Sequence, residues 1–96
     1  MAIPLVVTYS AHAEQKLLMR KVKREDVARV VANPTEVYED TEHNANVVIG
    51  SVDGKALVVI YQSVGNAKKV ITVYHTLNIG KLVLSKTKRG AWRRIQ

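Results

Sequence analysis

Apolar positions recur along this chain with two different periods, helical in the first third and alternating in the rest. Ala11, Ala13, Leu17 and Leu18 supply the apolar contacts of a helix that Ser10 can cap and that runs to about Arg20. Val22-Lys23 reads as a break. Val27, Val30 and Val31 at i, i+3, i+4 predict a second helix from about Arg24 to Ala32. Glu25 and Asp26 fall in its first turn, where the helix dipole favours anions. Asn33-Pro34 ends it, because the residue before proline is pushed out of the helical region. Ahead of both helices, Ile3–Val7 reads as a short strand, or as an extended lead-in if Pro4 limits pairing.

From Thr35 the pattern turns to β. Thr35–Glu39, Ala45–Val52, Lys55–Val64 and Lys68–Thr76 are rich in Val, Ile, Thr and Tyr. Asp53-Gly54 is a two-residue hairpin signal, and Gly65-Asn66-Ala67 and Asp40–Asn44 mark the other turns. Turns this short join antiparallel neighbours. The expectation is an α+β fold: two N-terminal helices on one face of an antiparallel four- to five-stranded meander, with the other face partly open. Leu77–Leu84 reads as a last strand or a short helix around Gly80, followed by a basic, mobile end at about 85–96.

Composition narrows the class. At 96 residues the chain has room for one domain with a modest core, and 47% hydrophobic content argues against disorder. Without cysteine there is no disulfide, no Cys-ligated zinc and no thiol nucleophile. No apolar run is long enough to span a membrane, and MAIPLVV lacks the pattern of a signal peptide, so a cytoplasmic protein is expected. The net charge is +7, and it is unevenly spread. Residues 1–33 contribute +3, residues 34–76 contribute −2 and residues 77–96 contribute +6. The last group is Lys81, Lys86, Lys88, Arg89, Arg93 and Arg94, with Trp92 among them. Such a segment either keeps the chain soluble or contacts phosphates, with Trp92 stacking on a base or packing the tail in place.

Candidate chemistry begins at His12, in the first turn of the first helix. Free N–H groups there form an anion site, and the dipole favours a neutral imidazole that can act as a base. Lys16 and Arg20 follow at i+4 and i+8, giving one polar stripe suited to phosphate-ester chemistry or simply to a solvated face. In the last long strand, alternation places Thr72, Tyr74 and Thr76 on a polar face, and Ile71, Val73 and His75 on a core-like one. His75 is then either a strand-end histidine at the core margin or a catalytic group. Tyr61 in the neighbouring strand is a candidate for the open face. His43, between Glu42 and Asn44, reads as a surface residue. The histidines are dispersed, and no metal-ligand spacing, glycine-rich phosphate loop or nucleophilic serine motif is visible, so no metal or cofactor is expected.

Ser10-Ala11-His12-Ala13-Glu14-Gln15-Lys16, followed by Val22 through Asn33-Pro34 and by Val70-Ile71-Thr72-Val73-Tyr74, resembles a small prokaryotic family of unknown function. That family is similar to the RelE- and BrnT-type toxins within the barnase, EndoU and colicin-like ribonucleases. The resemblance implies helices packed on an antiparallel sheet and metal-independent RNA cleavage, in which the ribose 2′-hydroxyl attacks the adjacent phosphate. It would make His12 the base or acid and Lys16 the phosphate clamp, with Thr72 and Tyr74 beside the scissile phosphate. Lys16 departs from the arginine more usual there, and so loses bidentate phosphate binding. The expected partner is RNA, in single-stranded or ribosome-associated form. Arg20, Tyr61, Lys86, Lys88, Arg89, Trp92, Arg93 and Arg94 are the candidate nucleic-acid contacts. The alternatives are a non-catalytic nucleic-acid-binding module and an interaction domain whose sheet edge pairs with a second copy or an antitoxin.

Overall fold

A computed structural model describes residues 6–95 of the chain. In chain order these form β1 (Val6–Tyr9), α1 (Ala11–Met19), α2 (Arg24–Ala32), β2 (Glu36–Asp40), β3 (Ala45–Val52), β4 (Lys55–Val64), β5 (Ala67–Thr76), α3 (Ile79–Lys88) and β6 (Trp92–Arg94). The class is α+β, as the two periodicities imply. Most of the strand expected at Ile3–Val7 lies outside the described residues. Among the described residues no helix is long and apolar enough to cross a membrane.

The expected meander is present as β2 to β5, each strand antiparallel to the next. Asp53 and Gly54 both take positive φ, at 51° and 79°, as the tight hairpin between β3 and β4 requires. Two further strands extend the sheet to six, in the order β1-β5-β4-β3-β2-β6. β1 adds to β5 in parallel, and β6 adds to β2 antiparallel. The sheet is therefore mixed, with three helices and six strands, rather than a purely antiparallel meander with two helices.

Both faces of the sheet are packed. α1 and α2 bury Ala13, Leu17, Val27, Val30 and Val31 against Val48, Val52, Leu57, Val59, Val70 and Val73. On the other face Tyr38, Val47, Ile49, Val58, Ala91 and Trp92 form a second core, under Ile79, Leu82 and Val83 of α3. Those last three residues recur at i, i+3, i+4, which explains why the ambiguous Leu77–Leu84 segment folds as a helix. The basic end, expected to be mobile, is thus a helix and a sheet strand over Ile79–Arg94. Trp92 is buried and lies 5.6 Å from the Tyr38 ring, so it packs the end of the chain in place.

Two of the helices, α1 and α3, end in the same hydrogen-bond motif. At the end of α3, the Ala91 N–H donates to the Lys86 carbonyl (3.0 Å) and the Gly90 N–H to the Thr87 carbonyl (3.1 Å), with Gly90 at φ 81°. The same motif ends α1. Val22 donates to Leu17 (3.0 Å), Lys21 donates to Leu18 (3.4 Å), and both Val22 and Leu17 belong to the core. There, however, the left-handed position is held by Lys21, at φ 52°.

A Cβ on Gly50 would stand 2.7 Å from Val30 Cγ2, a stiff β-branched side chain that has little room to yield. Gly50→Ala should lower stability by about 1–3 kcal/mol in urea unfolding; an unchanged midpoint would mean that α2 lifts off β3 without cost. Lys21→Gly should raise stability by about 1 kcal/mol, because glycine relieves the left-handed backbone. The same urea titration would show this as a higher midpoint with an unchanged slope.

Candidate active site

The site begins at an irregularity in β5. Ile60 of β4 pairs with Thr72, but the next residue, Tyr61, pairs with Val70, so Ile71 is an extra residue with no partner across the ladder. The bulge lets Val70 and Val73 both face the α1–α2 core. Ile71, Thr72 and Tyr74 instead line a cleft of about 570 Å³ on the α3 side of the sheet. Ile71, expected in the core, belongs to that cleft because the bulge breaks simple alternation.

β1 stops at Tyr9, opposite Val70, and the β5 edge beyond that point is covered by α1. Ser10 makes the junction. Its N–H donates to the Val70 carbonyl (2.9 Å), and its hydroxyl donates to the Ile71 carbonyl (3.3 Å). The same hydroxyl accepts from the Ala13 N–H (3.0 Å), as the N-cap of α1. At the other end of the helix, Arg20 Nη1 donates to the Val73 carbonyl (2.7 Å) and the guanidinium sits 5.8 Å from the Tyr74 ring. Arg20 therefore satisfies the sheet edge at one end of α1, while His12 at the other end reaches the cleft.

The cleft is lined by Ser10 and His12, by Ile71, Thr72 and Tyr74, and by Lys69, Ile60 and Gln62 from the β4–β5 pair. Asp40, His43, Lys86 and Trp92 complete it. Burial disfavours ionisation of the Tyr74 hydroxyl and raises its pKa; Arg20 acts in the opposite direction, and Asp40 adds to the rise. Among the described residues neither Lys69 nor Lys86 forms an ion pair. Lys86 Nζ lies 5.8 Å from the Trp92 ring.

Of the residues singled out from sequence, His12, Thr72, Tyr74, Lys86 and Trp92 share this cleft. Lys16 is half-buried on α1 and does not line it. His75 pairs with Leu57 on the helix-side face, because it alternates with Tyr74; its Nδ1 is buried with no hydrogen-bond partner among the described residues. Tyr61 is likewise on the helix side, buried opposite Val70, with Lys68 Nζ 4.9 Å from its ring. The basic end is largely spoken for. Arg93 pairs with Glu39 at 2.8 Å, and Arg89 with Glu42 and Arg94 with Glu36 at 3.5 Å each. Lys88 is exposed at the end of α3 and does not line the cleft.

His43, read as a surface residue, and Asp40, read as part of a turn, are the additions. Asp40 is only 4% exposed. Its Oδ1 accepts from the backbone N–H groups of Glu42 and His43, each at 3.0 Å, and its carboxylate lies 3.0 Å from His43 Nδ1. The available signal was an aspartate closing a strand three residues ahead of a histidine, with Asn44 free to take the left-handed φ of 51° that closes the turn. Burial opposes charge on Asp40, but the hydrogen bonds from His43 and Glu42 outweigh it and hold the carboxyl below its ordinary value.

A lowered carboxylate pKa stabilises the fold at pH values above the unfolded value of about 3.9, and that contribution is lost as pH falls through the lower folded value. Asp40→Asn should therefore cost about 1–3 kcal/mol at pH 7, with the gap to the parent narrowing below about pH 4. Urea midpoints measured at pH 7 and pH 3 check this. A gap that is the same at both values would mean that the charge on Asp40 contributes nothing.

The model of one family, described as a domain of unknown function (DUF4258), matches residues 9–75. The match spans Tyr9 through His75, so α3 and β6, which bring Lys86 and Trp92 to the cleft, lie beyond it. No curated protein and no solved structure matches the chain. With more than half of its length matched, the chain belongs to this family of unknown function, DUF4258.

Proposed function

We propose that the protein is a metal-independent ribonuclease of the RelE/BrnT toxin type, acting on RNA in the cleft between α1, β5 and α3. The observation that carries the reading is the convergence of His12, Tyr74 and two lysines, Lys69 and Lys86, on one cavity whose walls are otherwise largely apolar. At about 570 Å³ the cavity is of a size that takes a small ligand, such as a nucleotide with its phosphate. The sequence resemblance of Ser10–Lys16 and Val70–Tyr74 to such proteins supports the same chemistry.

In this mechanism the 2′-oxygen bonds to phosphorus as it loses its proton to a base, and the P–O5′ bond breaks as O5′ gains a proton from an acid. The products are a 2′,3′-cyclic phosphate and a 5′-hydroxyl. His12 is one of the two proton-transfer groups. Lys69 and Lys86 take over the clamp assigned to Lys16, holding the charge that develops on the phosphoryl oxygens. Tyr74, a phenol already neutral at pH 7 and made still less acidic by burial, donates a hydrogen bond to a phosphate oxygen. Thr72 lies beside it on the same strand face. Trp92 shapes the wall of the cleft rather than stacking from a free tail.

Purified protein incubated with single-stranded RNA in EDTA should release cyclic-phosphate ends. His12→Ala should slow that release by about 100-fold or more, and Lys69→Ala combined with Lys86→Ala should weaken RNA binding and flatten its salt dependence. Saturable binding with no product would replace this reading by that of a non-catalytic nucleic-acid-binding module.

A further inference from the structure

We propose that His43 is the second proton-transfer group of this cleft and that Asp40 is its positioning residue. The inference rests on the ribonuclease reading and adds to it the partner that His12 needs. Concerted cleavage by 2′-hydroxyl attack uses a base and an acid at the same time, and one imidazole cannot serve as both in a single step. His12 and His43 both line the cleft, the first from the start of α1 and the second from the β2–β3 turn.

The turn is built to hold the His43 ring. Asp40 and Trp92 are register partners across the β2–β6 pair, and both are buried on the α3 side of the sheet. Two backbone N–H groups fix the Asp40 carboxylate, which then accepts from His43 Nδ1. A donor role for Nδ1 leaves Nε2 as the atom that meets substrate. The side chain of His43 is 72% exposed while that of Asp40 is 6% exposed, so the reactive end of the pair faces solvent and the anchoring end does not. With Nδ1 held on the carboxylate, the same ring position serves whether Nε2 accepts a proton or gives one up. Protons balance between the two rings: one gains the 2′-hydroxyl proton and the other gives one to O5′, and exchange with water resets both.

The test reads each ring directly. Carbon–proton correlation spectra of the full chain resolve the C–H signals of the three histidines, and inorganic phosphate followed by 3′-cytidine monophosphate serve as probes. The His12 and His43 signals should shift together with one apparent Kd, while His75, on the opposite face, stays fixed. Single-turnover cleavage should fall 100-fold or more in His43→Gln, with RNA affinity retained. Asp40→Asn should also slow cleavage, and nitrogen spectra should show His43 losing its fixed Nδ1–H tautomer. If phosphate moves His12 but not His43, or if His43→Gln cleaves as well as the parent, this assignment is overturned while the ribonuclease reading stands. A parent protein that leaves RNA intact overturns both. Thermal unfolding of each variant separates a loss of chemistry from a loss of fold; a folded His43→Gln protein with parental activity is decisive against the proposal.

Discussion

The unpaired Ile71 in β5 is the constraint around which the rest is arranged. A regular strand would have placed Val70, Thr72 and Tyr74 on one face, forcing either a valine out of the helix-side core or a polar side chain into it. With one extra residue, Val70 and Val73 both enter that core while Thr72 and Tyr74 turn to the opposite face. The bulge also marks where β1 ceases to pair, leaving carbonyls along the β5 edge that need donors. Ser10 and Arg20, one at each end of α1, supply them. The helix is thereby pinned along the strand edge, and its first turn, with His12, is delivered to the cleft. The polar stripe of α1 is largely a device for closing a sheet edge, and only its first member reaches the candidate site.

Electrostatics are organised by β2. Its acidic side chains and the turn after it neutralise the arginines of the chain end, with Glu36, Glu39 and Glu42 facing Arg94, Arg93 and Arg89. Exposed pairs of this kind contribute little stability individually. They also reassign the net charge of +7. The arginines that suggested a phosphate-binding tail are engaged with neighbouring carboxylates. The cations at the cleft are two lysines from different thirds of the chain, Lys69 beside the bulge and Lys86 in the last turn of α3.

Much of the fold was legible because local signals agreed with the tertiary outcome. Ser10 capped α1, the Val27–Val31 spacing gave α2, and Asp53-Gly54 fixed the central hairpin. The parts that were not legible depend on contacts distant in sequence. Nothing near Ile71 marks it as a bulge; the extra residue is defined only by its partners on β4. The helical spacing of Ile79, Leu82 and Val83 was masked by branched residues that also suit a strand. β6 is three residues long and exists because Trp92 finds Tyr38 and Arg93 finds Glu39. The site was half legible for the same reason. The shared face of Thr72 and Tyr74 follows from strand alternation and the place of His12 from the Ser10 cap, whereas the His43 ring is held by a carboxylate whose burial beside Trp92 depends on a residue more than 50 positions away along the chain.

That burial links the end of the chain to the candidate site. A carboxylate at the end of an edge strand would ordinarily be hydrated and free to rotate, and a histidine bonded to it would be held loosely. β6 removes the edge, places Trp92 opposite Asp40, and leaves the carboxylate bonded to the turn amides and the His43 ring. The Gly90 turn that aims β6 at β2 sits immediately beyond α3, the helix that also carries Lys86 to the cleft. The last fifth of the chain therefore contributes to the candidate site chiefly by geometry. It closes the sheet edge, dries one side of the Asp40–His43 pair and supplies one wall and one cation. Removing it would dismantle the cleft together with any nucleic-acid contact it makes, so the chain end and the site have to be treated as one structural unit.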